Sequence, residues 1–262
     1  MFNRTFFLTL ACLSIGACSP KIAAVKQDPY KARVNELANK LHDPSIPKRA
    51  RAAYDLGELG PHAKSAVLEI ANLLSDSSDT VRGYAADALS KIGPDAANAV
   101  PSLANALSDT NPIVRGYSAN ALAKIGAEAR DAIPDLIKTL KDPHPTVRGY
   151  SATALGIITT AFREKVPALE RAMHDTDPKV RIRATQDLGD IETQTKLVVS
   201  ELALALKDPL PKVRCCVVTA LGSIAAGAKS AIPALTNYLK DPDPWVQRYA
   251  ADAIIKIDRS SE

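Results

Sequence analysis

The chain has 262 residues, 46% of them apolar, 24% charged and 5% aromatic, with a formal charge of +4. That length and apolar content exclude a disordered chain, and the shortage of aromatic residues counts against an all-β fold. A charge of +4 lacks the strongly basic profile of a dedicated nucleic-acid binder.

The first predicted element is an address. Asn3-Arg4 form a short cationic start, and Thr5 to Ile15 form an apolar run of signal-peptide length, too short to span a bilayer. The run ends Leu13-Ser14-Ile15-Gly16-Ala17-Cys18, which resembles a bacterial lipobox. The resemblance makes Cys18 the lipidation site; an ordinary secretory peptide with a chance cysteine is the alternative. Cleavage would remove residues 1–17, leaving 262 − 17 = 245 residues and, with Arg4 gone, a charge of 4 − 1 = +3. Ser19 rather than Asp follows the cysteine, which for such lipoproteins implies the outer membrane, facing the periplasm. Residues 18–27 have no periodicity and read as a tether. The acyl chains implied at Cys18 would hold the protein to the membrane, at about 0.8 kcal/mol per buried CH2.

From residue 28 to 262 a 33-residue period governs the chain. Asp43, Asp76, Asp109, Asp142, Asp175, Asp208 and Asp241 are spaced by 33, and six residues after each comes Arg49, Arg82, Arg115, Arg148, Arg181, Arg214 and finally Gln247. Leu56, Leu89, Leu122, Leu155, Leu188, Leu221 and Ile254 keep the same register, and no insertion interrupts it. Each unit holds two helices. Val100, Leu103, Ala104 and Leu107 mark one face of the first, and Val81, Ala85, Ala88, Leu89 and Ile92 one face of the second. Asn111-Pro112, Asp177-Pro178 and Asp243-Pro244 read as a capping residue before a first-turn proline. Gly60, Gly93 and Gly126 stand where a helix end needs positive φ. Pro101, Pro134, Pro167 and Pro233 confine or kink the first helices. The spacing predicts seven helical pairs.

The period fits neither ankyrin nor tetratricopeptide signatures. Asp-x5-Arg opening the second helix, with proline in the first, resembles the HEAT family, in particular the short HEAT-like repeats of phycobilisome lyases. The resemblance covers residues 28–258. It implies an all-α superhelical solenoid with the second helices lining the concave side. It also implies a structural ladder in which the arginine of one repeat reaches the aspartate of its neighbour: Asp76, Arg82, Asp109, Arg115, Asp142, Arg148, Asp175, Arg181, Asp208 and Arg214. A forked guanidinium suits such a tie between stacked loops.

Catalytic and metal readings find little support in the residues. His42, His62, His144 and His174 are scattered, with no i,i+4 pair. Deoxyhypusine hydroxylase shares the fold and binds iron through His-Glu dipeptides, whereas here the residues after histidine are Asp43, Ala63, Pro145 and Asp175. There is no phosphate-binding glycine loop, no Cys-x-x-Cys and no hydrolase elbow. Cys215 and Cys216 are adjacent, which suits a disulfide poorly; they read as small fillers at the positions of Gly83 and Tyr84.

The expected function is a lipid-anchored scaffold that binds a protein or peptide on its concave face, with no catalysis, cofactor or nucleic acid. An enzyme related to the HEAT-like hydroxylases or bilin lyases is the alternative. Val-Arg-Gly-Tyr recurs at 81–84, 114–117 and 147–150. Helical angles place Gly83 and Asp87 opposite the core, so Gly83, Gly116 and Gly149 suggest a partner close to the backbone. Asp87, Asn120 and Thr153 would then offer polar contacts, and Tyr84, Tyr117 and Tyr150 apolar walls. The competing readings are recent duplication, or tyrosines packed over Ala86, Ala119 and Ala152. At the C-terminus, Trp245, Ile254, Ile255 and Ile257 suggest a covered end: a partner, a second copy, or the tail from Asp258 folded over it.

Overall fold

Where a helix stops decides how the repeats are laid down. The computed structural model describes residues 29–164 and 178–260, and only the backbone of residues 162 and 178–190. Within those bounds every regular element is helical. In chain order the α-helices are α1 Lys31–Lys40, α2 Ile46–Glu58, α3 Val67–Asn72, α4 Asp79–Ile92, α5 Val100–Ala106, α6 Pro112–Ile125, α7 Ile133–Thr139, α8 Pro145–Arg163, α9 Pro178–Ala205, α10 Pro211–Ile224, α11 Ile232–Asn237 and α12 Pro244–Arg259. The signal, Cys18 and the tether lie outside the described residues, as do Pro167 and Asp175 and the side chain of Arg181.

Gly93 and Gly126 end α4 and α6 at φ +73° and +77°, a conformation that costs an L-residue about 1–2 kcal/mol. A seven-residue 3-10 turn follows, for example Gly93–Ala99 with Ala96 and Ala99 buried. A short first helix comes next, with Pro101, Pro134 or Pro233 in its opening turn, where the missing N–H loses nothing. In the register of these glycines stand Thr159 and Glu192. Neither turns the chain. α8 runs on to Arg163, and α9 is one helix of 28 residues, joining the second helix of repeat 5 to the first of repeat 6.

The second helices pack side by side in the order α2, α4, α6, α8, α10, α12. Val81, Leu89, Val114, Leu122, Val147 and Leu155 are fully buried along their shared stripe. Small residues set the approach: a Cβ added at Gly57 would lie 2.9 Å from Ala88 Cα, at Gly156 2.7 Å from Ala220 Cα, and at Gly222 3.0 Å from Ala253 Cβ. Only glycine leaves room for backbones this close.

The loops between first and second helices are tied by charge. Arg82 gives Nε and Nη2 to the Asp109 carboxylate at 2.6 and 2.9 Å and Nη1 to the Asp76 carbonyl at 2.9 Å. Arg49 does the same with Asp76, Arg115 with Asp142 and Arg214 with Asp241. Each aspartate also accepts the backbone N–H two residues on, as Asp109 does from Asn111 at 2.8 Å.

At Arg148 the neighbour rule fails. Its guanidinium binds Asp208, 60 residues away. α10 therefore follows α8 directly, and the second helix of repeat 5 does not stand between them. The sequence holds the reason. Asp187 occupies the column of Ala88, Ala121, Ala154, Ala220 and Ala253. A carboxylate packed against Gly156, where an added Cβ would lie 2.7 Å from Ala220 Cα, would cost several kcal/mol unless it found a partner. Ala220 makes that contact instead.

The last described helix is α12. Gln247 keeps the bond to its own loop, Nε2 to the Asp241 carbonyl at 2.7 Å, but has no fork for a further aspartate. Ile255 fills the receiving column of Gly57, Gly156 and Gly222, and is exposed. Of the apolar residues expected to need cover, Ile257 is buried and Ile254 packs against the core, while Trp245 stays 60% exposed. The helix continues to Arg259, so Asp258 belongs to α12 and does not fold back over it.

Two outcomes follow from these contacts. Asp76 sits below the usual carboxylate range chiefly because of Arg49. At Asp109 and Asp142 burial pushes the carboxyl up, but the paired guanidinium and a backbone N–H outweigh it. A carboxyl lowered by folding stabilises fully above its unfolded value of about 3.9 and loses that contribution as pH falls through the folded value. Urea unfolding should therefore show a steep stability loss below about pH 4. Arg115→Ala should cost about 3 kcal/mol at neutral pH and make that decline shallower. Ala225, at φ +56° in the register of Gly60, Gly93 and Gly126, should gain about 1 kcal/mol on replacement by Gly, read as a raised urea midpoint.

Candidate functional site

The Val-Arg-Gly-Tyr segments open α4, α6 and α8, and each residue type goes a different way. The valines are buried and the arginines join the ladder. The tyrosines emerge: Tyr84 is 40%, Tyr117 36% and Tyr150 38% exposed.

The glycines do not face solvent. Gly83 and Gly116 are buried, which corrects the helical-angle expectation that put this column opposite the core. What approaches the backbone is the next helix in the row. A Cβ at Gly116 would lie 3.4 Å from the Tyr150 ring, at Gly149 3.5 Å from Cys216 Sγ and at Gly83 4.0 Å from Ile113. The wheel argument fails because a second helix touches neighbours on two sides as well as the first helices beneath it.

The three polar positions are also engaged within the chain. Asp87 binds Lys91 at 2.7 Å, and Lys91 reaches back to Glu58 at 2.8 Å, tying α4 to α2. Asn120 donates its amide to Ser90 Oγ at 2.8 Å, tying α6 to α4. Thr153 donates to the Gly149 carbonyl at 3.0 Å and lies against Cys216. Burial pushes the Cys216 thiol up, against the lowering by Thr153, so the protonated form is favoured. Such a thiol is a poor nucleophile. Asp87, Asn120 and Thr153 are thus interhelical or intrahelical ties, with at most their second hydrogen-bonding capacity left for a ligand.

Between the tyrosines run three clefts that share walls. One, of about 310 Å3, lies between α4 and α6 and is lined by Tyr84, Asp79, Ile113 and Tyr117. The next, about 190 Å3, takes Ile113 and Tyr117 as one wall and His144, Thr146 and Tyr150 as the other. The third, about 280 Å3, begins at Thr146 and Tyr150 and ends on α10 at Leu210, Lys212 and Cys216. Shared residues make them one trench from α4 to α10. At its α2 end Tyr54 meets Tyr84 edge to face at 5.9 Å, with Lys91 above the Tyr54 ring. Periodicity did not single out Ile113, Leu210 or Lys212. The usable signal was column substitution, a cysteine at 216 where the repeats place tyrosine.

Among the described residues no group of three His, Cys, Asp or Glu side chains gathers as a metal site. A wider hollow of about 420 Å3 lies beside the ladder at Arg148 and Asp208, where the charges already pair with each other.

Known proteins resemble this arrangement in fold. An engineered protein of solved structure superposes with a TM-score of 0.61 at 23% identity, covering 87% of this chain and 97% of its own. A designed armadillo repeat protein gives 0.60 at 21% identity, over 86% of this chain and 99% of its own. A second designed armadillo repeat protein, solved in complex with the peptide (KR)4, gives 0.62 at 18%, over 86% and 99%. None of the curated proteins matches the sequence. The sequence profile of HEAT repeats matches residues 34–103, 100–189 and 199–262, together most of the chain. With ladder, paired helices and profile in agreement, this chain belongs to the HEAT-repeat family.

Proposed function

We propose that this protein is an exported, lipid-anchored scaffold that binds a protein or peptide partner along the tyrosine trench of its second helices, without catalysis. The observation that carries the reading is continuity: three exposed tyrosines at one-repeat spacing wall clefts that merge into one surface. Tyrosine supplies large contact area at little entropic cost and a hydroxyl at the rim. The ladder and the small-residue contacts hold these walls on rigid helices, so little ordering is lost on binding. A designed repeat protein of similar fold accommodates a peptide, which supports the choice of partner class. For the anchor, the support is the apolar run and the Ile15-Gly16-Ala17-Cys18 segment, and an anchored scaffold would stand in the cell envelope. A second copy stacked on α12 is disfavoured by Ile255 and Gln247.

Two measurements test this reading. A photo-crosslinking side chain at position 117 should yield an adduct in the native envelope, and the same group at the exposed Leu68 should not. Tyr117→Ala with Tyr150→Ala should weaken partner capture by about tenfold or more while the protein stays folded. Equal adducts at both positions would place the partner elsewhere. For the anchor, Cys18→Ser should abolish fatty-acid labelling and release the protein from membranes; full retention would remove the lipid from the reading.

A further inference from the structure

The row of second helices carries a tyrosine at 84, 117, 150 and 249, but Cys216 at the same position of α10. Where α6 meets α8, the Tyr150 ring lies over Gly116; where α8 meets α10, the Cys216 sulfur lies over Gly149, 3.5 Å from where a Cβ would stand. A thiol stands in place of a phenol beside the 280 Å3 cleft, with Tyr150 on one side and Leu210 and Val213 on the other. The junction exists because α10 packs directly on α8. Lys212 is the one charged residue lining it, and among the described residues no ion pair involves its ammonium. It stands in the first turn of α10, where the helix macrodipole opposes a cation. Pro47, Thr80, Ile113, Thr146 and Trp245 hold the corresponding position of other repeats, and Lys179 that of repeat 5. Fold stability does not account for a lysine there.

We infer that the α8–α10 cleft is an anchor pocket for an aromatic side chain of the peptide partner, with a neighbouring carboxylate of that peptide paired to Lys212. This rests on the trench as the binding surface and adds the chemistry of the partner. The ring would take the space that tyrosine fills at the preceding junction, stacking between Tyr150 and the Leu210–Val213 wall. The carboxylate would meet an ammonium with no competing acid in the pocket.

A displayed library of random short peptides, selected on the full chain, tests the assignment. Enriched peptides should share an aromatic residue next to Asp or Glu. Their binding should fall about tenfold or more with Lys212→Glu and with Cys216→Tyr, which restores the missing ring. Cys216→Ala should bind at least as well as the native chain. Lys212→Glu alters only an exposed side chain, so it decides the matter if Cys216→Tyr does not fold. Enriched peptides of other chemistry, or peptides indifferent to Lys212→Glu yet lost with Tyr117→Ala, would overturn the pocket and leave the trench standing. No enrichment of any peptide would remove both.

Discussion

Arg49, Arg82, Arg115, Arg148 and Arg214 each grip two loops at once, holding their own loop by its carbonyls and another by its carboxylate. That double grip is possible because guanidinium offers two parallel donors on one edge and a third on another. Lysine could not make it. The ladder fixes the lateral order of the loops, and with it the order of the helices that begin at them. The aspartates accept from backbone and arginine together, so no buried carboxylate oxygen of the ladder is left to water.

The ladder alone does not choose which aspartate an arginine takes. That choice belongs to the helix faces below it. Glycine opposite alanine lets two second helices approach until backbone meets side chain, and apolar stripes close over the contact. Where the alanine column reads Asp187, the contact is unfavourable, and the arginine of repeat 4 passes to the aspartate beyond. Packing selects the neighbour, and the ion pair records the selection.

The binding surface is a by-product of the same rules. Glycines at 83, 116 and 149 face the next helix at ordinary contact distance, and the tyrosine after each emerges beside that contact. The trench is therefore rigid where it is walled by ladder-bearing helix starts. Interhelical ties at Asp87 and Asn120 use polar groups that a sequence pattern presents as free.

The sequence by itself determined the helical period and the members of the buried stripe, its HEAT resemblance implied the ladder, and the exposure of the three tyrosines stayed open. The period and the stripe follow from local rules: 3.6-residue periodicity, capping at Asn111 and Asp243, and glycine at Gly93 and Gly126. It also contained Thr159, Glu192 and Asp187, whose departures from their columns mark repeat 5, but a column gives no distances and so no weight to a departure. Only the tertiary structure decided that α10 follows α8, that Gly83 is buried, and that Asp87 and Asn120 are engaged. The physical reason is that equivalent residues are chemically interchangeable along the chain. Arg148 would bind Asp175 or Asp208 equally well, and the difference lies in which helix faces fit together.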